Sequence, residues 1–222
     1  MKQDEKVLRQ DIIDNCRLMN ASGLSKGTSG NISARFEDRA LITPSATPYD
    51  AMQPEMIASM PLDNDYGSWS GLRKPSTEWR FHLDILRARP DVGAVVHAHP
   101  PYGTALAIAR KEIPPVHYMM AAFGGTNIRC ADYAMFGTAE LSKLALAALQ
   151  DRQACLLANH GTIVVGETLA KAMWLASELE TLAHQYFNTL LIGKPVLLSD
   201  AQIAETAAAF GSYGLQDDTD RT

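Results

Sequence analysis

The stretch VVHAHPPY, residues 95–102, decides how this chain is read. Val95 and Val96 are β-branched and follow Gly93-Ala94, the composition of a buried strand. Side chains two apart on a strand share a face, so His97 and His99 point the same way. Pro100 and Pro101 then end the ladder, since proline has no N–H to donate. Pro101 also suits the first turn of a helix running through TALAIA (104–109). Two imidazoles within reach of one ion are either corners of a metal site or the polar end of a strand. The pair alone leaves both readings open.

Working outward, periodicity predicts a helix over 2–22, with Val7, Leu8, Ile12, Ile13, Cys16 and Met19 at helical spacing and Gly23 closing it. GLSKGTSGNISARF (23–36) reads as a loop of small residues entering a strand, and ALITPS (40–45) and EMIASM (55–60) as two more strands. Residues 61–75 read as turn and loop. A helix is expected over 76–89 with Ser76 or Thr77 as its N-cap. VHYMM (116–120) and TNIRCAD (126–132) read as strands around Gly124-Gly125. A helix over 138–150, strands ACLLA (154–158) and TIVVG (162–166), and a long helix over 167–192 follow, the last with Trp174, Leu175, Leu179, Leu182, Tyr186 and Leu190 inward. Ser199 and Gln202 make a capping-box pattern for a last helix ending near Phe210. Strands grouped between helices give an α/β fold: three α/β/α layers around a central mixed, largely antiparallel sheet, in one domain spanning 1–222.

Composition excludes several classes. Hydrophobic residues at 46% and charged residues at 20% belong to a globular chain rather than a disordered one. Net charge is −5 with no basic stripe, which argues against a nucleic-acid partner. An anionic substrate therefore needs a local site of backbone N–H groups, hydroxyls or a metal. No apolar run approaches the roughly 20 residues of a membrane span. The charged N-terminus has no signal-peptide core, and Cys16, Cys130 and Cys155 are odd in number with no CxxC pair. A cytoplasmic protein with reduced thiols is expected, without a membrane partner.

Of the six histidines, His160 in ANHGT stands where a buried strand ends before a glycine. With His97 and His99 it offers three corners of a tetrahedral zinc site, with bonds of about 2.0–2.1 Å and one position open. Taken singly, each is as readily a turn or strand-end residue. His82 and His184 fall within helices and read as packing or surface residues, and His117 is unassigned. Glu78 follows Lys-Pro-Ser-Thr at a helix start, where the dipole favours a carboxylate; this is a candidate acid/base or ordinary charge complementation. The hydroxyls of Ser76 and Thr77 there suit an anion, as do the unobstructed N–H groups of GTSGN (27–31). That loop lacks the Gly-Lys-Ser/Thr ending of a Walker motif, and by itself a glycine-rich turn need only turn.

Together, GLSKGTSGNIS, LITPSATPY, KPSTEWRFH, AVVHAHP, IPPVHYMMAAFGG, YAMFGT, NHGTIVVGETLAKAMWLA and FGSYGL, in this order, resemble the class II aldolase/adducin family, and within it the L-fuculose-1-phosphate aldolase type. The resemblance runs nearly the full length. It implies a homotetramer with sites at subunit interfaces, one Zn²⁺ per subunit and a small phosphorylated ketose as substrate. By position it makes His97, His99 and His160 the zinc ligands, with Glu78 on the remaining position and acting as acid/base. Asn31, Ser45, Ser76 and Thr77 match the phosphate set, with Thr28, Gly30 and Ala46 in its loops. Tyr118 matches the tyrosine that protonates the departing aldehyde oxygen across a subunit boundary. Phe136, Phe210 and Tyr213 match the aldehyde pocket. The chain departs from the type at Ser45-Ala46, where threonine–glycine is usual, at Gln216, where arginine is familiar, and after His99. A sugar-phosphate 4-epimerase is the nearest alternative, but that type tends to carry aspartate where Glu78 stands. An oxo-acid phosphate decarboxylase tends to depart from PSTEW, and an adducin-like interaction module lacks the three histidines.

Overall fold

The computed structural model describes residues 2–63 and 65–210. Seven strands form one sheet: β1 (Asn31–Phe36), β2 (Arg39–Ile42), β3 (Ala58–Pro61), β4 (Ala94–Ala98), β5 (Arg129–Ala131), β6 (Ala154–Leu157) and β7 (Gly161–Gly166). Their order is β3-β2-β1-β4-β7-β6-β5, antiparallel throughout except for the parallel β5–β6 pair. The helices are α1 (Gln3–Ser22), α2 (Trp79–Ala88), α3 (Pro101–Ile108), α4 (Ala139–Ala148), α5 (Leu169–Ile192) and α6 (Asp200–Phe210). The α/β/α layering expected from the strand and helix pattern is the one observed.

Strand alternation divides the core in two. Ala94, Val96 and Ala98 of β4 face α1, α3, α5 and α6, packing with Ile12, Leu106 and Leu179. Val95 faces α2 and α4 with Phe81, Leu83 and Leu141. Because His97 shares the parity of Val95, its ring enters the α2 side of the sheet. Asn31 stands directly opposite it on β1, and Ser33 opposite Val95, so these polar groups share that side. This register gathers the site at one end of the central strands.

Caps fix the helix boundaries. Thr138 accepts from the Leu141 N–H at 3.2 Å and Thr168 from Lys171 at 3.1 Å. Ser199 and Gln202 close the expected capping box, each side chain accepting from the other's N–H at 2.8 and 3.3 Å. Each such cap is worth about 1 kcal/mol. Arg9, buried against Glu5, donates to the carbonyls of Pro54 and Ile57 and so ties α1 to the turn before β3.

Several expected elements differ. EMIASM is a strand only from Ala58; Pro54–Met56 is a 3-10 turn, with proline setting its first residue. VHYMM is not a strand: Tyr118–Phe123 is a 3-10 segment, and the His117 ring accepts from the Met119 N–H at 3.2 Å. Helix α2 begins at Trp79 rather than Ser76, with Ser76 and Thr77 held in the preceding turn and Glu78 at the N-cap position. Trp174 and Leu190, read as inward, are 40% and 37% exposed, because α5 is covered on one side only.

Candidate active site

Strand β4 ends by delivering His97 and His99, and the tight turn between β6 and β7 delivers His160. Asn159 occupies the left-handed region (φ 54°), where asparagine is tolerated, and the His160 N–H donates to the Leu157 carbonyl at 3.0 Å. Gly161 follows because a Cβ there would stand 2.5 Å from both the Ala98 carbonyl oxygen and the His99 ring. The three rings converge, with candidate ligand atoms within 4.8 Å of one another.

The protonation pattern is set by their partners. His97 Nδ1 lies 2.9 Å from the Thr162 carbonyl oxygen, which can only accept, so Nδ1 carries the proton and Nε2 is a lone pair aimed into the cluster. That lone pair stands 3.0 Å from His99 Nε2 and 3.2 Å from Glu78 Oε2. Glu78 Oε1 is 3.1 Å from His160 Nε2 and, though buried, has no hydrogen-bond donor of its own among the described residues. Acceptors facing one another in a buried site repel unless a cation lies between them. Ligand atoms around a tetrahedral ion with bonds of 2.0–2.1 Å stand roughly 3.3–3.4 Å apart. The three shortest spacings, 3.0–3.2 Å, lie close to that and none of the histidine spacings exceeds 4.8 Å, so three imidazoles and Glu78 fit a four-coordinate divalent ion after small adjustments.

Electrostatics agree with that role. Burial raises the Glu78 carboxyl, but positive charge placed at the His97 and His160 cluster outweighs it and holds the group well below the usual carboxylate range. His99 is pushed down to about 4 by burial and by the neighbouring His97 and His160 rings, so it is a neutral ligand at pH 7.

A cleft of about 390 Å³ opens above this cluster. Thr28, Gly30, Asn31, Ser45, Ala46, Ser76 and Thr77 all line it, beside Glu78, His99, His160 and Phe136. The Pro44–Pro75 bridge, with the Ser76 N–H donating to the Thr43 carbonyl at 2.8 Å, draws the Ser45 and Ser76 loops together. Tyr49 donates its hydroxyl to the Gly30 carbonyl at 2.5 Å and pins the glycine-rich loop. Among the described residues no lysine or arginine lines the cleft, which leaves hydroxyls and backbone N–H groups to meet an anion.

Tyr118 and Phe210 lie elsewhere. Their rings are 6.3 Å apart beside a second cavity of about 770 Å³ bordered by Trp174, and Tyr118 is 51% exposed. Within one chain they do not reach the cleft. Tyr213 and Gln216 lie outside the described residues.

The sequence reading missed His82, which is fully buried and bonded to Ser33 and Asn31 rather than merely packed. Its signal was available: His82 stands four residues after Glu78, one helical turn on the same face. Tyr133 and Asn159 also line the cleft and were not singled out. No described helix is long and apolar enough to cross a membrane.

A model of the Class II Aldolase and Adducin N-terminal domain matches residues 10–187. The 5-methylthioribulose-1-phosphate/5-deoxyribulose-1-phosphate aldolase of Rhodospirillum rubrum is 50% identical over 208 residues, 94% of this chain and 93% of its own. The L-fuculose phosphate aldolase of Escherichia coli K12 is 45% identical over 214 residues, 96% of this chain and 98% of its own. A solved structure of an L-fuculose 1-phosphate aldolase superposes with a TM-score of 0.89 at 34% identity, covering 95% of this chain and 98% of that one. Likeness of this extent, over a fold that assembles the histidine cluster, places the chain in the class II aldolase and adducin family, among its aldehyde-lyases.

Proposed function

We propose that this chain reversibly cleaves a ketose 1-phosphate carrying an apolar deoxy or methylthio tail to dihydroxyacetone phosphate and an aldehyde. The observation that carries the reading is one cleft joining a hydroxyl-lined anion pocket to the His97–His99–His160–Glu78 cluster. Thr28, Ser45, Ser76 and Thr77, with the N–H groups of 27–31, hold the phosphate. His97, His99, His160 and Glu78 would hold zinc, which would supply Lewis-acid stabilisation of the negative charge developing on the substrate, worth several kcal/mol. Glu78 carries the proton to and from the carbon of the three-carbon fragment, a contribution of about 10²–10⁴-fold. Among the described residues no lysine stands in the cleft lining to form a Schiff base.

The tail preference rests on the outer wall, where Tyr133, Ala134 and Phe136 present apolar surface to the cleft. It also accords with the substrates for which the two relatives are named, 5-methylthio- and 5-deoxyribulose 1-phosphates and L-fuculose phosphate. Tyr118 and Phe210 serve a neighbouring subunit's cleft in a homotetramer; the exposure of Tyr118 and the separation of both from their own cleft support that assignment.

The test is dihydroxyacetone phosphate release from a panel of ketose 1-phosphates with 5-methylthio, 5-deoxy, 6-deoxy and fully hydroxylated tails. Release from the apolar-tailed members is expected. Preference for the hydroxylated tails would overturn the tail assignment. No release from any member by zinc-loaded protein would overturn the aldol reaction in favour of epimerisation or decarboxylation.

A further inference from the structure

Ser33, His82 and Asn31 form an unbroken chain of hydrogen bonds that ends on Glu78. The Asn31 amide nitrogen donates to Glu78 Oε2 at 2.9 Å. A carboxylate only accepts, so this contact fixes which way the amide faces. Asn31 Oδ1 is then directed at His82 Nε2, 2.5 Å away. An amide oxygen also only accepts, so Nε2 carries the ring proton. Nδ1 is left as an acceptor and takes the Ser33 hydroxyl proton across 2.8 Å. Reversing any link sets two donors or two acceptors face to face in a buried site, at about 1–3 kcal/mol for each group left unsatisfied. The direction of the whole chain is therefore determined.

The scaffold holds it rigidly. Ser33 and Asn31 share one face of β1, and His82 stands one helical turn after Glu78 on α2. The His82 ring stacks on Phe81 with centroids 4.7 Å apart and is 1% exposed. The result makes the two oxygens of Glu78 unequal. Oε2 receives the Asn31 N–H, whereas Oε1 has no hydrogen-bond donor among the described residues.

We propose that His82 is a positioning residue: by locking the Asn31 amide it holds Oε2 of Glu78 and leaves Oε1 as the oxygen that exchanges a proton with the substrate carbon. The role given to Glu78 rests on the aldolase reading above. In the synthetic direction the substrate C–H bond breaks, its electron pair stays on the three-carbon fragment, and the proton forms the O–H bond at Oε1. Cleavage reverses each change. Asn31 thereby faces the acid/base as well as the phosphate loop, and its orientation is dictated from the core rather than by the ligand.

Two measurements test this, one independent of turnover. In histidine-¹⁵N-labelled protein, with His82 assigned by comparison with His82→Gln, the Nε2–H tautomer is expected at pH 7 with and without zinc. An Nδ1–H tautomer or an imidazolium would overturn the chain. In kinetics, His82→Leu at full zinc occupancy is expected to lower kcat about 10–100-fold with KM within about twofold, the scale of a misplaced catalytic group. His82→Gln, which retains a donor, is expected to recover most of that loss. Wild-type kcat in His82→Leu, or equal impairment in both variants, would overturn the positioning role. Should His82→Leu fail to fold, Ser33→Ala, which frees the far end of the chain, replaces it: a retained Nε2–H tautomer with a fall in kcat at unchanged KM is expected, and an unchanged kcat overturns the proposal. Zinc-loaded protein inactive on every ketose 1-phosphate would defeat the aldolase reading whatever the tautomer. An Nδ1–H tautomer in an active enzyme would defeat only the chain.

Discussion

Replacing Gly161 with alanine perturbs the metal cluster without removing any ligand. Gly161 opens β7, and its φ is one that alanine readily adopts, so the objection to a side chain there is spatial. The added Cβ would stand 2.5 Å from the Ala98 carbonyl oxygen and 2.5 Å from His99 Cδ2. Non-bonded carbons settle at about 3.5–4.0 Å, so the His99 ring must retreat by about 1 Å. The carbonyl belongs to β4 and is held in the sheet, which makes the ring the softer neighbour. Metal–ligand distances tolerate only about ±0.2 Å, so a displaced His99 ceases to be a full ligand. The expected result is a fall in metal affinity of about 10–100-fold or more, the scale seen when even an outer partner of a ligand is lost. Overpacking adds about 1–3 kcal/mol of destabilisation, or roughly 3–10 °C in Tm for a chain of this size. Metal content after dialysis against a graded chelator, with thermal unfolding alongside, reads both effects. Wild-type metal retention at wild-type Tm would refute the reasoning.

Other perturbations have equally direct readouts. Glu78→Gln is expected to lower kcat by about 10²–10⁴-fold while the fold stays intact by circular dichroism; a near wild-type rate would remove Glu78 from proton transfer. Ala46 sits at φ 49°, a left-handed conformation costing alanine about 1–2 kcal/mol, against about 0.4–1 kcal/mol for the extra freedom of unfolded glycine. Ala46→Gly should therefore raise stability by about 0.5–1 kcal/mol in a denaturant titration, and a loss of stability would count against the conformation described. Burial, then the neighbouring His97 ring, lowers His82 to about 3, from an ordinary value near 6.5. The unfolded chain thus binds the proton first, and the His82 contribution, full above about pH 6.5, is lost as pH falls toward 3. Between pH 6 and 4 stability should drop by about 1.4 kcal/mol per pH unit more in wild type than in His82→Gln, and parallel curves would contradict it.

Much of the site was legible because its signals are local. Two histidines two apart on a β-branched strand, a third at a strand end before glycine, and Ser-Thr-Glu at a helix start each carry their geometry in their spacing. The strand pattern likewise set the layers, because alternation and helical periodicity read directly as faces. What was not legible depends on contacts distant in sequence. Residues 118–123 are apolar enough for a strand, but Pro114-Pro115 and the His117 cap turn them into a 3-10 segment. Ser76 would cap a helix by propensity, yet its N–H is engaged by Thr43 from another loop, which delays the start of α2 to Trp79. His82 read as packing because its partners lie about 50 residues away on β1, at |i−j| separations of 49 and 51. Trp174 and Leu190 fit the periodicity of α5 but not its one-sided cover.

The most direct test of the central claim is dihydroxyacetone phosphate release measured while zinc is returned stepwise to chelator-stripped protein. The account predicts negligible release from the stripped protein and a rate that rises linearly with occupancy, saturating at one zinc per chain. Undiminished release without metal, or a saturated site that still releases nothing, would contradict it.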